Sequence, residues 1–219
     1  LPIYGPAAVT IYGDCGSMAR ARDLGALVIA RAAVGDNPDY TLTPEASAAQ
    51  RVRAVMGQLE ACEYDYAVLT NEALGWPNMA WLNAWLLAAM DTAAREYPGR
   101  RAIPIVWPPG WFGLAGEIDA LRPALVQMAA RGWPLGLNLY DANTNNPDAR
   151  LCPLNTWNAY TTYRPLLYRD RLPAGLRLVV TELGAGAGNS KLTPGDVRCF
   201  LEKSGGTYYA VTVWLHSGV

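Results

Sequence analysis

Two glutamates stand where a short apolar run gives way to a polar segment. Tyr66-Ala-Val-Leu-Thr-Asn-Glu72 ends in Asn71-Glu72, and Leu178-Val-Val-Thr-Glu182 ends in Glu182. They lie 110 positions apart, so only folding can pair them. Two carboxylates facing each other across a cleft suit a reaction in which one carries a proton and the other is ionised, as cleavage of a glycosidic bond requires. A shared apolar site drives two such pKa values apart and divides the labour between them. The plainer alternative makes either glutamate a solvated loop residue or the partner of an arginine.

Positioning the pair requires elements that end at one rim. Seven short apolar runs read as strands: Ala8–Tyr12, Ala26–Ala30, Tyr66–Thr70, Ile103–Trp107, Leu135–Tyr140, Arg177–Thr181 and Tyr208–Trp214. They are mostly apolar rather than alternating, as expected of strands covered on both faces. Helices separate them. Thr43-Pro44 reads as an N-cap followed by proline at the first helical position, and Val52, Val55, Met56 and Leu59 share one face. Asn78 caps a helix whose stripe is Leu82, Trp85, Leu86 and Ala89, ended by Pro98-Gly99. Ile118, Leu121, Leu125 and Met128 mark another, closed by Gly132. Thr193-Pro194-Gly195-Asp196 has capping-box spacing and opens the last helix. This rhythm of βα units builds an open sheet or a closed barrel. No dinucleotide glycine fingerprint follows the first strand, which favours the barrel. Closure of the usual barrel needs eight strands, and seven are visible. The expectation is an α/β TIM (β/α)8 barrel, a single domain over 1–219, whose first βα unit is absent or reduced to Leu1–Gly5.

Composition bounds the rest. The chain has 219 residues, 51% hydrophobic, with a formal net charge of -1. That balance gives no electrostatic reason to expect nucleic acid or an anionic membrane as a partner. No stretch approaches the ~20 apolar residues of a membrane helix. Eight Trp and 12 Tyr against 2 Phe favour rings that pair an apolar face with a polar edge, suited to stacking on sugars. The start at Leu1, with neither Met nor a charged leader, reads as a processed form or a fragment. Cys15, Cys62, Cys152 and Cys199 lack metal-binding spacing. They permit two disulfides, and free thiols of a cytosolic enzyme fit equally well. Compartment stays open, with an extracytoplasmic place favoured. Oligomeric state is not legible.

A strand ending in Asn-Glu, with a second strand-end Glu three strands later, is similar to the clan A glycoside hydrolases. In that clan the acid/base follows strand four in Asn-Glu, and the nucleophile follows strand seven. The resemblance implies a retaining glycoside hydrolase acting on β-linked oligo- or polysaccharide, with Glu72 as acid/base and Glu182 as nucleophile. It implies that Asn71 binds the 2-hydroxyl of the sugar, and that Tyr66–Thr70 is strand four of a barrel missing strand one. It further implies that Arg31 keeps the nucleophile ionised, that Tyr140 lies near it, and that Trp214 floors the subsite of the cleaved sugar. No metal or organic cofactor is implied. The Pro that often follows Asn-Glu is Ala73 here, and His216 is the one histidine.

Other residues carry weaker expectations. Trp107 and Trp111, in Trp-Pro-Pro-Gly-Trp, and Trp76 can offer aromatic platforms to a sugar chain, or be partly buried indoles. Asp141–Asn146 and Asp14 can meet hydroxyls, although turn chemistry explains such residues cheaply. His216 can contact substrate at the rim. Two other functions compete. Gly184-Ala-Gly-Ala-Gly188 follows the seventh strand, where barrels often bind phosphate, which suits an enzyme of phosphorylated ligands. A non-catalytic carbohydrate-binding or assembly module with a hydrolase-like barrel is the other.

Overall fold

Short apolar runs become strands, and the amphipathic stretches between them become helices. The computed structural model describes residues 8–72, 75–108, 115–141, 165, 168–185 and 194–213, with the backbone alone for residues 115, 140, 141, 184, 185, 194 and 213. In chain order these form β1 (Ala8–Tyr12), α1 (Cys15–Asp23), β2 (Leu27–Arg31), α2 (Pro44–Gln58), β3 (Tyr66–Val68) and α3 (Met79–Glu96). They continue with β4 (Ala102–Ile103), β5 (Val106–Trp107), α4 (Ala115–Ala120), α5 (Arg122–Arg131), β6 (Leu135–Asp141), β7 (Leu178–Ala185), α6 (Pro194–Ser204) and β8 (Ala210–Val213). A 3₁₀ turn, Arg169–Arg171, precedes β7. The fold is α/β, with every ladder parallel.

The strands run β1-β2-β3-β4 and β5-β6-β7-β8. The break between β4 and β5 falls inside the run expected as one strand, Ile103–Trp107. Pro104 has no N–H to give the ladder, so pairing stops there and resumes two residues later. The seam is still bonded: the Val106 N–H donates to the Thr70 carbonyl at 2.9 Å, and the Glu72 N–H donates to the Val106 carbonyl at 3.0 Å. At the other end β1 lies against β8, where Thr10 Oγ1 is 3.2 Å from Thr212 Oγ1 and donates to the Thr181 carbonyl at 3.1 Å.

The expected helix signals operate, with one correction. Thr43 Oγ1 accepts from the Ala46 N–H at 3.3 Å and Asn78 Oδ1 from the Trp81 N–H at 2.8 Å. Gly132 ends α5 with φ at 66°, a left-handed position that costs glycine little. The helix expected through Ile118 and Met128 is two, because Pro123 starts a new first turn. Thr193, expected as the cap of α6, lies outside the described residues.

Among the described residues two apolar clusters fill the interior. The larger packs α2, α3 and α5 on the sheets through Val52, Val55, Met56, Leu86, Ala89 and Leu125, among others. Full burial of each aliphatic side chain stabilises the fold by about 1.5–3 kcal/mol. The smaller lies on the sheet face turned from the helices and holds Ile29, Tyr66, Val68, Ile103, Val106 and Val179. Gly136 of β6 makes room for it, since a Cβ there would sit 2.6 Å from Val106 Cγ2 and 2.8 Å from Ile103 Cγ2.

Cys15 and Cys62 form a disulfide that ties α1 to the segment after α2, and Cys199 is also disulfide-bonded. Of the two alternatives open for the cysteines, the described ones take the disulfide: none of them is free. Among the described residues no helix is long and apolar enough to cross a membrane.

Candidate functional site

Side chains alternate along a strand with period two, so the face that carries the smaller cluster can be followed residue by residue. Leu27 and Ile29 lead to Arg31, Tyr66 and Val68 to Thr70, Val179 to Thr181, and Ala210 to Thr212. On each strand the apolar residues give way to a polar one toward the carboxyl end. The result is an apolar plug capped by a polar layer.

Glu182 belongs to that layer because β7 is irregular. Leu137 pairs with Val180, but Asn138 pairs with Glu182, so Thr181 and Glu182 together oppose one residue of β6. Such a bulge re-aims a side chain and is common beside active sites. The expectation that Glu182 ends its strand is corrected: β7 continues to Ala185. Arg31 likewise sits within β2 rather than just after it.

Arg31 Nη1 donates to Glu182 Oε1 at 2.6 Å, with both side chains only 9% exposed. The pair crosses from β2 to β7, strands that no described ladder joins. On its other edge the guanidinium meets Asp36 Oδ2 and the Tyr12 hydroxyl, both at 3.3 Å, and it stacks on the Tyr12 ring at 4.6 Å. A buried cation at hydrogen-bond distance favours the ionised form of its carboxylate. Arg51 of α2 supports this corner by donating Nε–H to the Leu69 carbonyl and Nη1–H to the Gly35 carbonyl. Burial pushes its guanidinium below the ordinary value, and the negative charge of Asp36 acts in the opposite direction.

Glu72 is held differently. Its φ of 50° is the one positive value at a non-glycine among the described residues. Such a conformation costs a side-chain-bearing residue about 1–2 kcal/mol and is found where surrounding bonds over-determine it. Here the Glu72 N–H is fixed to Val106, and Oε1 accepts from Asn138 Nδ2 at 2.9 Å. The same nitrogen donates to Asn71 Oδ1 at 3.2 Å. Asn138 Oδ1 lies 2.6 Å from Thr181 Oγ1. Asn138 therefore links Glu72 and Asn71 to Thr181, the residue that precedes Glu182 in the bulge.

The comparisons with known proteins bear on this arrangement. No family model matches the chain. No curated protein matches it either. Solved structures do. One of the plant beta-glucan endohydrolases matches with a TM-score of 0.52 at 13% identity, over 95% of this chain and 90% of that one. A beta-1,3-glucanase and allergen of Cryptomeria japonica pollen matches with a TM-score of 0.53 at 14% identity, over 95% and 80%. A beta-glucuronidase of Faecalibacterium prausnitzii gives 0.53 and 14%, over 95% of this chain and 36% of that longer one. The chain shares their fold.

Within that fold the expected residues fall into three groups. Glu72, Glu182, Asn71 and Arg31 come together in the polar layer. Trp107 does not: it is 2% exposed and packs in the larger cluster, because Val106 beside it takes the other face of β5. Its expected part as a sugar platform is corrected to a core part. Trp76 is half-buried against the same cluster. Asp14 caps α1, accepting from the Gly16 and Ser17 N–H groups, and these bonds with the Ser17 hydroxyl hold its carboxyl below the ordinary range. Trp111, Trp214 and His216, the Tyr140 side chain, and positions 142–146 and 186–188 lie outside the described residues, while Gly184 and Ala185 are strand backbone. The reading of the sequence missed Asn138, Thr181, Asp36 and Arg51. One signal was available for Asn138: an amide within the apolar run Leu135–Leu139 must be hydrogen-bonded if buried.

Proposed function

We propose that this chain is a retaining glycoside hydrolase acting on a β-linked oligo- or polysaccharide, with Glu182 as nucleophile and Glu72 as acid/base. The observation that carries the reading is the buried network in which Asn138 joins Glu72 to the Thr181–Glu182 bulge while Arg31 faces Glu182 at 2.6 Å. One acid there meets a cation, which favours a carboxylate, and the other meets a neutral amide, so the two differ in their partners. The named activities of the fold's neighbours, on beta-glucans and glucuronides, point the same way.

In this reading the chain is a single domain whose strands close into a barrel, with β3 as the fourth strand. The side-chain bonds from β1 to β7 and β8, and the Arg31–Glu182 pair across the smaller cluster, support closure. The sugar lies over the polar layer, its 2-hydroxyl toward Asn71. A Glu182 oxygen attacks the anomeric carbon as the glycosidic C–O bond breaks, and Glu72 gives its proton to the departing oxygen. Glu72 then takes a proton from water, whose oxygen displaces Glu182 and restores both acids. Retention calls for carboxyl groups about 5–5.5 Å apart. Tyr140, Trp76, Trp111 and Trp214 remain candidate sugar contacts. The disulfides support an extracytoplasmic place.

The test is a screen of aryl β-glycosides and β-glucans with wild type, Glu72→Gln and Glu182→Gln. Glu182→Gln is expected to lose at least about 10⁴-fold in kcat/KM. Glu72→Gln should lose about 10²–10⁴-fold on substrates with poor leaving groups. Activity unchanged in both variants defeats the reading.

A further inference from the structure

We infer that Asn138 is a positioning residue that confines the exchangeable proton of Glu72 to Oε2 and turns the amide hydrogens of Asn71 toward the substrate. The inference rests on the glycosidase reading but concerns residues that it leaves without a role. Asn138 is fully buried, so each of its polar atoms needs a partner. Thr181 decides which way its amide faces. The Thr181 hydroxyl has one hydrogen and two acceptors in reach, the Leu137 carbonyl at 3.2 Å and Asn138 Oδ1 at 2.6 Å. Given to Leu137, it would leave two oxygens facing lone pair to lone pair at 2.6 Å, so it goes to Asn138.

With Oδ1 committed, the two hydrogens on Nδ2 point at Glu72 Oε1 and Asn71 Oδ1. The reversed amide would set an oxygen against two acceptors. A protonated carboxyl accepts best through its carbonyl oxygen, so an amide hydrogen on Oε1 leaves the proton on Oε2. Asn71, its oxygen turned to Asn138, is left to face a ligand with its amide hydrogens, and a hydroxyl meeting them accepts. The Glu72 backbone is pinned through its N–H to the Val106 carbonyl, so Oε2 projects from a support fixed at both ends.

The order Thr181, Asn138, Glu72 makes a testable claim, because a proton donor matters only when the leaving group needs one. The assay compares kcat/KM on a phenyl β-glycoside, whose leaving group requires protonation, with the 2,4-dinitrophenyl glycoside of the same sugar, whose leaving group does not. Asn138→Ala should lose about 10²-fold on the first and under about threefold on the second. Thr181→Val keeps the shape and removes the hydroxyl; it should show the same asymmetry at about tenfold, and Thr181→Ser should restore it. If Asn138→Ala does not fold, judged by circular dichroism, the Thr181 pair decides. Equal losses on both substrates, or no rescue by serine, overturn the inference. Glu72→Gln and Glu182→Gln separate the two failures. Inactive glutamine variants beside a flat Asn138 and Thr181 series sink the positioning role alone. A wild-type chain that cleaves neither glycoside sinks both.

Discussion

On the side of the site built by β2 and β7, Glu182 meets a full positive charge, with Arg31 at 2.6 Å and Asp36 and Tyr12 behind it. On the side built by β3 and β6, Glu72 meets, among the described residues, the amide of Asn138 and its own strained backbone. Glu182 is buried and Glu72 half-buried, so the two differ in exposure as well as in partners. A buried ion pair fixes a charge in place, and removing one member strands the other away from water. An amide constrains the direction of the carboxyl without bringing a charge to it. One fold thus holds two acids by partners of different kinds.

That contrast can be broken first at its charged side. Arg31→Met should destabilise the chain by about 3–5 kcal/mol in denaturant unfolding, because Glu182 is then buried without its cation. Adding Glu182→Leu should recover most of the loss. If the double variant is no more stable than the single one, the charge on Glu182 is not what Arg31 compensates. The neutral side should give less: Asn138→Ala should cost about 1–3 kcal/mol, the penalty of leaving Asn71 Oδ1 without its donor. Equal costs for the two single variants would erase the distinction between charged and neutral support.

The backbone at Glu72 gives a smaller difference. Glu72→Gly should be more stable than Glu72→Ala by about 1 kcal/mol, since glycine occupies φ of 50° without strain. Indistinguishable unfolding midpoints would mean that this backbone relaxes when the carboxylate is gone. The smallest effect is expected at an exposed pair of the same chemistry. Arg53 contacts both oxygens of Glu96 at 2.8 Å, and with Arg95 it holds that carboxyl at about 2. A lowered folded-state value adds stability above the unfolded value near 4.5 and loses it as pH falls toward about 2. Glu96→Gln should therefore flatten the pH dependence of stability between about 4.5 and 2 while leaving activity unchanged. A variant curve parallel to wild type would remove Glu96 from that acid transition.

The elements were legible because their signals are local. Thr43, Asn78 and Gly132 mark helix ends through bonds within a few residues of themselves, and the sequence shows them. Pro104 and Pro123 were equally visible, yet their effect depends on whether an N–H is needed at that position, which a neighbouring strand or turn decides. Trp107 shows the same limit: composition marks it as a possible platform, and the alternation of β5 puts it in the core.

The sequence by itself determined that two glutamates and an arginine sit near the carboxyl ends of apolar strands in an α/β chain with parallel sheets. A run's hydrophobicity and the residues that end it are properties of adjacent positions. Only the tertiary structure decided that Glu182 enters a bulge, that Arg31 reaches it across the interior, and that Asn138 holds Glu72. Those contacts link positions 66 to 151 apart, and their geometry depends on strand register and on which face each strand buries. No local pattern encodes that register; it follows from how the apolar cluster beneath packs.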